Sequence, residues 1–450
     1  MKRLRPPRRG IALAAVTLMA TTGLAACGGS NSGSGPAHLT WYINPDVGNA
    51  DASKAKGGQA YLAKVCSDQS NGKYQIKVQL LPNSASDQRI QLLRRLAGGD
   101  KTMDLMSVDP AFVSEFAAAG YFAPVPKNMV ATFKKDRVQS SIDASTYDGK
   151  LMSVPFWANT QLLWYKKSVA KKAGLDMTKP VTWDQLIKAA QQTKTQIGVQ
   201  AALYEGYSVW INALVTGAGG KIVDNPNATY DKIRLGLNSA AGKDAARIIK
   251  KVSSTGVGGP AMGSSEETQS LNLFISPQGG FLVNWPYTYG AYTGKDKSDV
   301  AAAMYPETVA GKASRPPYGG IQLAVGKDSQ HATLAYQAAA CITSVKNQAE
   351  YMAKSGNPAS SKAAYAYPEV RKAFPDVQVV GANGKTIKVS LADLIRKSLD
   401  LAAARPLTPY WGDISTALQQ RFSPPNAVNQ NTPSSTQSFI LNVLNGKALL

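Results

Sequence analysis

The chain offers few groups for covalent chemistry and many for holding a polyhydroxylated molecule. It has two histidines, His38 and His331, and three cysteines, Cys27, Cys66 and Cys341. That supply argues against His-based triads, zinc sites and Cys-His nucleophiles, and calls for no metal and no cofactor. Paired carboxylates stay open, with Asp109 and Glu266 as the couple that a glycosidase or transglycosylase would use. What recurs is an aromatic ring beside an amide, an acid or an arginine. Trp41 and Tyr42, Trp157 near Asn159, Tyr204 with Glu205, Asn284 with Trp285 and Tyr287, and Arg405 ahead of Tyr410 and Trp411 all follow this pattern. A sugar presents apolar C–H faces and a rim of hydroxyls. Rings cover such faces, and planar bidentate groups bond neighbouring hydroxyls.

These residues need elements to converge them. The run VPFWANTQLLWY, 154–165, has strand character with an amide in its middle. A buried amide without partners costs roughly 1 to 3 kcal/mol, so the run reads as a strand crossing between two lobes with Trp157 and Asn159 facing a cleft. The alternative is a core strand whose amide is satisfied. Ahead of it lie a strand at 39–43, a helix carrying Ala60, Leu62, Val65 and Cys66, and an alternating strand at 74–80. A helix follows with Ser86 or Asp87 as N-cap and Ile90, Leu93, Leu96 and Ala97 on one face, then a strand at 103–108 finishing at Asp109. This alternation predicts an open, largely parallel α/β sheet, in which ligands sit outside the carboxyl ends of strands. Asn44, Asp109 and the residues after Leu81 occupy those ends.

Beyond the crossing run, helices are expected at 183–193 and 209–216, with Val199 and Gln200 leading a strand between them. Ser264 with Glu267 fits a capping box, which leaves Glu266 without a capping role and favours a place in the cleft. The stretch 281–289, FLVNWPYTY, is a strand running into a Trp-Pro-Tyr bend, and 319–325 is a second candidate crossing strand behind Arg315, Pro316 and Pro317. The Gly-rich segment after 216 lacks phosphate-loop spacing and reads as a helix stop.

The first 26 residues form a basic and then apolar export signal. Leu24, Ala25, Ala26 and Cys27 resemble a bacterial lipobox, which implies cleavage before Cys27 and a lipid on its thiol, with a flexible tether over 27–38. The net charge of +21 loses five basic residues with the signal, leaving 45 minus 29, or +16. Export makes an anionic envelope the natural neighbour of that charge, and no motif supports nucleic acid. Cys66 and Cys341 are then an even pair in an oxidising compartment, which favours a disulfide over two buried thiols.

The lipobox, VPFWANTQLLWY, NALVTGAGGKIVD, the NWPY bend, GGIQLAV and RPLTPYW occur in that order. Together they resemble the extracellular solute-binding lipoproteins of sugar ABC importers, most closely the trehalose-binding lipoproteins of mycobacteria and other actinobacteria. The resemblance implies a two-lobed periplasmic-binding-protein fold of α/β class, its lobes hinge-linked around a ligand cleft. Lobe 1 would hold 39–156 and 317–370, and lobe 2 would hold 157–316 and 371–450. It implies a lipid-anchored monomer on the outer face of the cell membrane that passes trehalose or a related α-linked disaccharide to permease subunits and their ATPase. Asp109, Asn159, Glu266 and Arg405 would then bond hydroxyls and Trp285 would stack, with Gly320, Asn44, Gln88 and Tyr287 as further contacts. Trp157 would belong to the hinge wall.

Overall fold

The computed structural model describes residues 35–46, 50–53 and 56–450. The export segment, Cys27 and most of the tether lie outside the described residues. Two larger sheets are built from β1 (Ala37–Ile43), β2 (Tyr74–Leu80), β3 (Leu105–Val108), β4 (Val154–Thr160), β5 (Leu162–Lys166), β6 (Gln196–Gly198), β7 (Gly279–Asn284), β8 (Val300–Ala303) and β9 (Tyr318–Ala324). The first sheet runs β2-β1-β3-β9-β4 and the second β8-β5-β7-β6. β1 is parallel to β2 and β3, while β9 returns antiparallel between β3 and β4. The strand β1 begins at Ala37, inside the stretch expected as tether, because Ala37 to Ile43 pair in register with Tyr74 to Leu80.

The crossing run is two strands end to end. β4 pairs with β9 as far as Thr160 opposite Tyr318, and Leu162 begins pairing with Asn284 in the other sheet. The change of sheet therefore falls at Gln161 rather than at 157. Gln161 is 2% exposed, and its side-chain amide donates to Gln200 Oε1 at 3.0 Å. Gln200 donates in turn to Ser270 Oγ and to the Val283 carbonyl. Its place in this polar floor accounts for Gln200 lying in a loop, after β6 has ended at Gly198, and not in the strand that Val199 and Gln200 were expected to lead.

The chain crosses again on entering β9 and once more near Ala403. Pro317 and Ala403 form a parallel bridge, with Tyr318 N–H donating to the Ala403 carbonyl at 3.0 Å.

Six helices bear on the site: α1 (Gln59–Asp68), α2 (Ala85–Ala97), α3 (Glu205–Gly217), α4 (Glu267–Ile275), α5 (Leu391–Leu401) and α6 (Trp411–Phe422). α2 is capped by Ser84, not Ser86 or Asp87; the Asp87 N–H donates to Ser84 Oγ. Its buried side chains are Gln88, Leu92 and Leu96 at i, i+4 spacing, and Ile90 is 39% exposed. α3 starts earlier than the sequence pattern indicated and buries almost every side chain, the acid Glu205 included. It packs against α6, with Tyr207 Oη donating to the Phe422 carbonyl at 2.8 Å. α5 lies on β4, where Thr160 and Ser398 hydroxyls meet at 2.7 Å. A disulfide joins Cys66 of α1 to Cys341, 275 residues along.

Of the seven tryptophans, Trp41, Trp164, Trp183, Trp210 and Trp411 are fully buried. Each such ring removes about 150 to 250 Å² from water, a gain of about 4 to 6 kcal/mol at about 25 cal/mol per Å². They are scaffold, which leaves Trp157 and Trp285 to face a ligand.

Candidate ligand-binding site

A cavity of about 470 Å³ lies where the crossings meet, bordered by strands β4 and β9 of the first sheet, by the start of α3 and by the bend that follows β7 of the second. All nine residues singled out as ligand contacts border it: Asn44, Gln88, Asp109, Asn159, Glu266, Trp285, Tyr287, Gly320 and Arg405. Asn44 follows β1 and Asp109 follows β3, at the carboxyl ends where the sheet geometry places ligands. Asn159 is 8% exposed; its amide oxygen accepts from Thr160 N–H at 3.0 Å, leaving its amide N–H2 without a partner among the described residues. Gln88 is 7% exposed and donates to the Pro82 carbonyl at 2.8 Å, leaving its amide oxygen unpartnered in the same way.

At one end, Arg405 is buried at 4% exposure between two carboxylates. Its two terminal nitrogens donate to Glu205 at 2.7 Å and Asp109 at 2.6 Å. Glu205 also accepts from Trp411 Nε1 at 2.8 Å and from Ser415 Oγ, while Asp109 accepts from the Ala111 N–H and caps the 3-10 turn Pro110–Phe112. Burial opposes the guanidinium charge, but Asp109 and Glu205 outweigh it and hold Arg405 above its ordinary range. Burial pushes the Glu205 carboxyl up, against the pull of Arg405. Nε of Arg405 is buried without a partner.

The indole of Trp285, at the bend after β7, is partly exposed and fixed from several sides. Its backbone N–H donates to Asn284 Oδ1 at 2.8 Å, and its ring N–H lies 3.4 Å from Glu267 Oε1. Asn284 is fully buried and donates to the Glu267 carbonyl, tying the bend to the start of α4. After Pro286 the chain enters a short helix, Tyr287–Ala291, so the strand ends at Asn284, where the Trp-Pro-Tyr bend was expected. A Cβ on Gly319 would sit 3.0 Å from the Trp285 ring, so glycine there lets the indole lie against β9. Gly320 has φ +118°, and a Cβ would meet the Trp157 carbonyl oxygen at 2.3 Å.

The capping box expected of Ser264 and Glu267 is not the one formed. Glu266 is the N-cap of α4, and Gln269 Oε1 accepts from its backbone N–H at 3.2 Å. Ser264 ends a separate 3-10 turn and bonds back to Ala261. Glu266 itself is exposed at the cavity edge. Trp157 also borders the cavity, 4% exposed and stacked on Tyr351 at 4.9 Å.

Further polar residues outside the sequence-derived set join the walls, among them Asp46, Glu205, Glu267 and Asn357. Glu205 carried a signal, as an acid opening a helix of buried apolar residues. Glu267 was absorbed by the capping reading, and burial pushes its carboxyl up. Asp46 accepts from Gln59 N–H at 2.8 Å, while its Oδ1 and Asn44 Oδ1 are buried without hydrogen-bond partners among the described residues. Burial raises the Asp46 carboxyl from 3.8 to about 6, the Gln59 bond opposing it. Asn357 lies far along the chain and had no local signal.

Two α/β sheets, a chain that crosses repeatedly between them and a polar, aromatic-walled cavity at the crossings define a two-lobed binding protein whose lobes hinge around a solute. The sequence places it further: residues 51–349 match the family model of bacterial extracellular solute-binding proteins, and the chain belongs to that family. It is 25% identical over 313 residues to a probable ABC transporter-binding protein of Deinococcus radiodurans, covering 64% of this chain and 70% of that one. It is 21% identical over 329 residues to a multiple sugar-binding protein of Streptococcus mutans, covering 69% and 74%. Maltose-bound T. maritima MalE3 superposes with a TM-score of 0.76 at 18% identity, over 92% of this chain and all of that one, a likeness of fold. The protein is an exported solute receptor of an ABC importer, not an enzyme. The glycosidase pairing is not favoured: Asp109 is committed to Arg405 and Ala111, and Glu266 is exposed.

Proposed function

We propose that this receptor captures trehalose or a related α-linked disaccharide and delivers it to the permease and ATPase of its importer, as a monomer held at the outer membrane face by a lipid on Cys27. The observation that carries the reading is the pairing of a fixed indole, Trp285, with planar polar groups around one cavity. Asn159 keeps an amide N–H2 and Gln88 an amide oxygen without protein partners, and Asn44 an oxygen likewise. Asp109, Asn159, Glu266 and Arg405 bond hydroxyls, the sugar face stacks on Trp285, and Gly320, Asn44, Gln88 and Tyr287 complete the contacts. A site of buried polar groups rejects isosteres that leave those groups unpaired. The sugar-binding relative and the sugar-bound structural neighbour agree with this ligand class.

Titration calorimetry against a panel of disaccharides tests it. A saturable 1:1 heat with trehalose is expected, at protein concentrations that detect micromolar binding near about 8 kcal/mol. No heat with any α-glucoside contradicts it. For the anchor, radiolabelled palmitate should enter the wild-type protein in cells and be absent from Cys27→Ser.

A further inference from the structure

We propose that the cavity also sorts solutes by charge, accepting uncharged and cationic polyols and rejecting anionic ones, phosphorylated sugars above all. The inference rests on the binding role proposed above and adds the charge class of its ligand. Among the described residues, five carboxyl side chains border the cavity, those of Asp46, Asp109, Glu205, Glu266 and Glu267, against one guanidinium, that of Arg405. Among the described residues no lysine or histidine borders it. Five negative charges against one positive give a wall of −4, and with all three carboxyls that burial pushes up, those of Asp46, Glu205 and Glu267, neutral the balance is still −1. The chain as a whole carries +21, so the cavity opposes the sign of its surroundings.

Arg405 does not offset this for an incoming anion. Its terminal nitrogens already hold Glu205 and Asp109, so no planar fork is free to receive a phosphate. The unpartnered groups point to a neutral or cationic guest. Asn159 and Gln88, both more than nine-tenths buried, offer one donor and one acceptor suited to hydroxyls. Asn44 Oδ1 is an acceptor without a donor among the described residues, which a hydroxyl or an ammonium group would satisfy. A low-dielectric cleft lined by one sign of charge focuses its field inward and repels like charge at its mouth.

Trp285 makes the field measurable without any ligand. The other six tryptophans are at most 4% exposed and Trp285 is the partly exposed one, so collisional quenching reads the cavity. At constant ionic strength and neutral pH, with each constant normalised to free N-acetyltryptophanamide, caesium should quench about threefold more than iodide. Trp285→Phe should abolish that difference. Iodide equal to or above caesium would overturn the inference, whatever sugar the protein binds.

Calorimetry supplies the second arm, with trehalose, its 6-amino-6-deoxy derivative and its 6-phosphate. The amine should bind within about threefold of trehalose, and the phosphate on the order of 100-fold more weakly. A phosphate that binds like trehalose overturns the inference, and equal loss of both derivatives overturns it by assigning the rejection to size. Absence of heat with every uncharged disaccharide would remove the binding reading, and the quenching ratio would still decide the charge inference.

Discussion

Two sets of polar groups at the cavity are treated in opposite ways. Around Arg405 the charges answer one another: the guanidinium lies between Glu205 and Asp109, and Glu205 takes two further donors from α6. Asn44, after the strand paired with the one that leads to Asp109, holds an acceptor oxygen without a donor among the described residues. A buried ion network must be complete before ligand arrives, because an unpaired charge left behind costs several kcal/mol. An unpartnered neutral acceptor costs less and can wait for a hydroxyl. The Arg405 set is therefore framework, holding Arg405 and Asp109 in place across the third crossing, and the Asn44 acceptor is completed by the solute.

The largest expected effect strikes the framework set. Glu205→Ala leaves Arg405 with Asp109 alone and takes the acceptor from Trp411 and Ser415, and should lower the unfolding free energy by about 3 kcal/mol in urea titrations. A loss under about 1 kcal/mol, the scale of a surface pair, would erase the distinction between the two sets.

Asp46→Asn should act the other way. The folded carboxyl is raised from 3.8 to about 6, so this group's contribution to stability is full below the unfolded value and is lost as pH rises through the folded one. Removing it should stabilise the ligand-free protein at about pH 8 by up to about 3 kcal/mol and leave it unchanged at about pH 3, read from urea midpoints. Equal midpoint shifts at both pH values would show that the strain is not electrostatic.

Binding substitutions sharpen the contrast at smaller scale. Trp285→Ala should weaken disaccharide binding by about 2 kcal/mol with folding retained. Asn159→Ala should cost about 1.5 kcal/mol or more of binding for the lost hydrogen bond, with folding retained. Either variant binding like wild type, by calorimetry, would remove that residue from the contact set. Gly319→Ala should have the smallest effect, about 1 kcal/mol of binding, since the indole has only a few tenths of an ångström to give.

How much of this was legible in the sequence depended on how local each signal was. The period of two over Tyr74–Leu80 and the Thr182-capped helix Trp183–Thr193 needed only neighbours, and both elements have those bounds. The residues singled out at strand ends and in the NWPY bend converge on one cavity because sheet topology fixes where carboxyl ends meet. The cap of α4 was misread because two acids stand side by side: Glu266 takes the N-cap, and Glu267 turns its carboxyl toward the Trp285 ring. The α2 stripe was drawn through Ile90, whereas Gln88 occupies the buried row, since a cavity wall buries an amide where a core would bury an aliphatic. The Glu205 and Asp109 pairing with Arg405 spans 200 and 296 residues, and no local pattern encodes it.

The most direct test of the account is a crystal structure grown with trehalose. It should show one disaccharide in this cavity, a ring face against Trp285, hydroxyls within hydrogen-bond distance of Asn159 and Asp109, and Arg405 still paired with Glu205. Trehalose seated elsewhere, or seated here with Trp285 and Asn159 untouched, would contradict it.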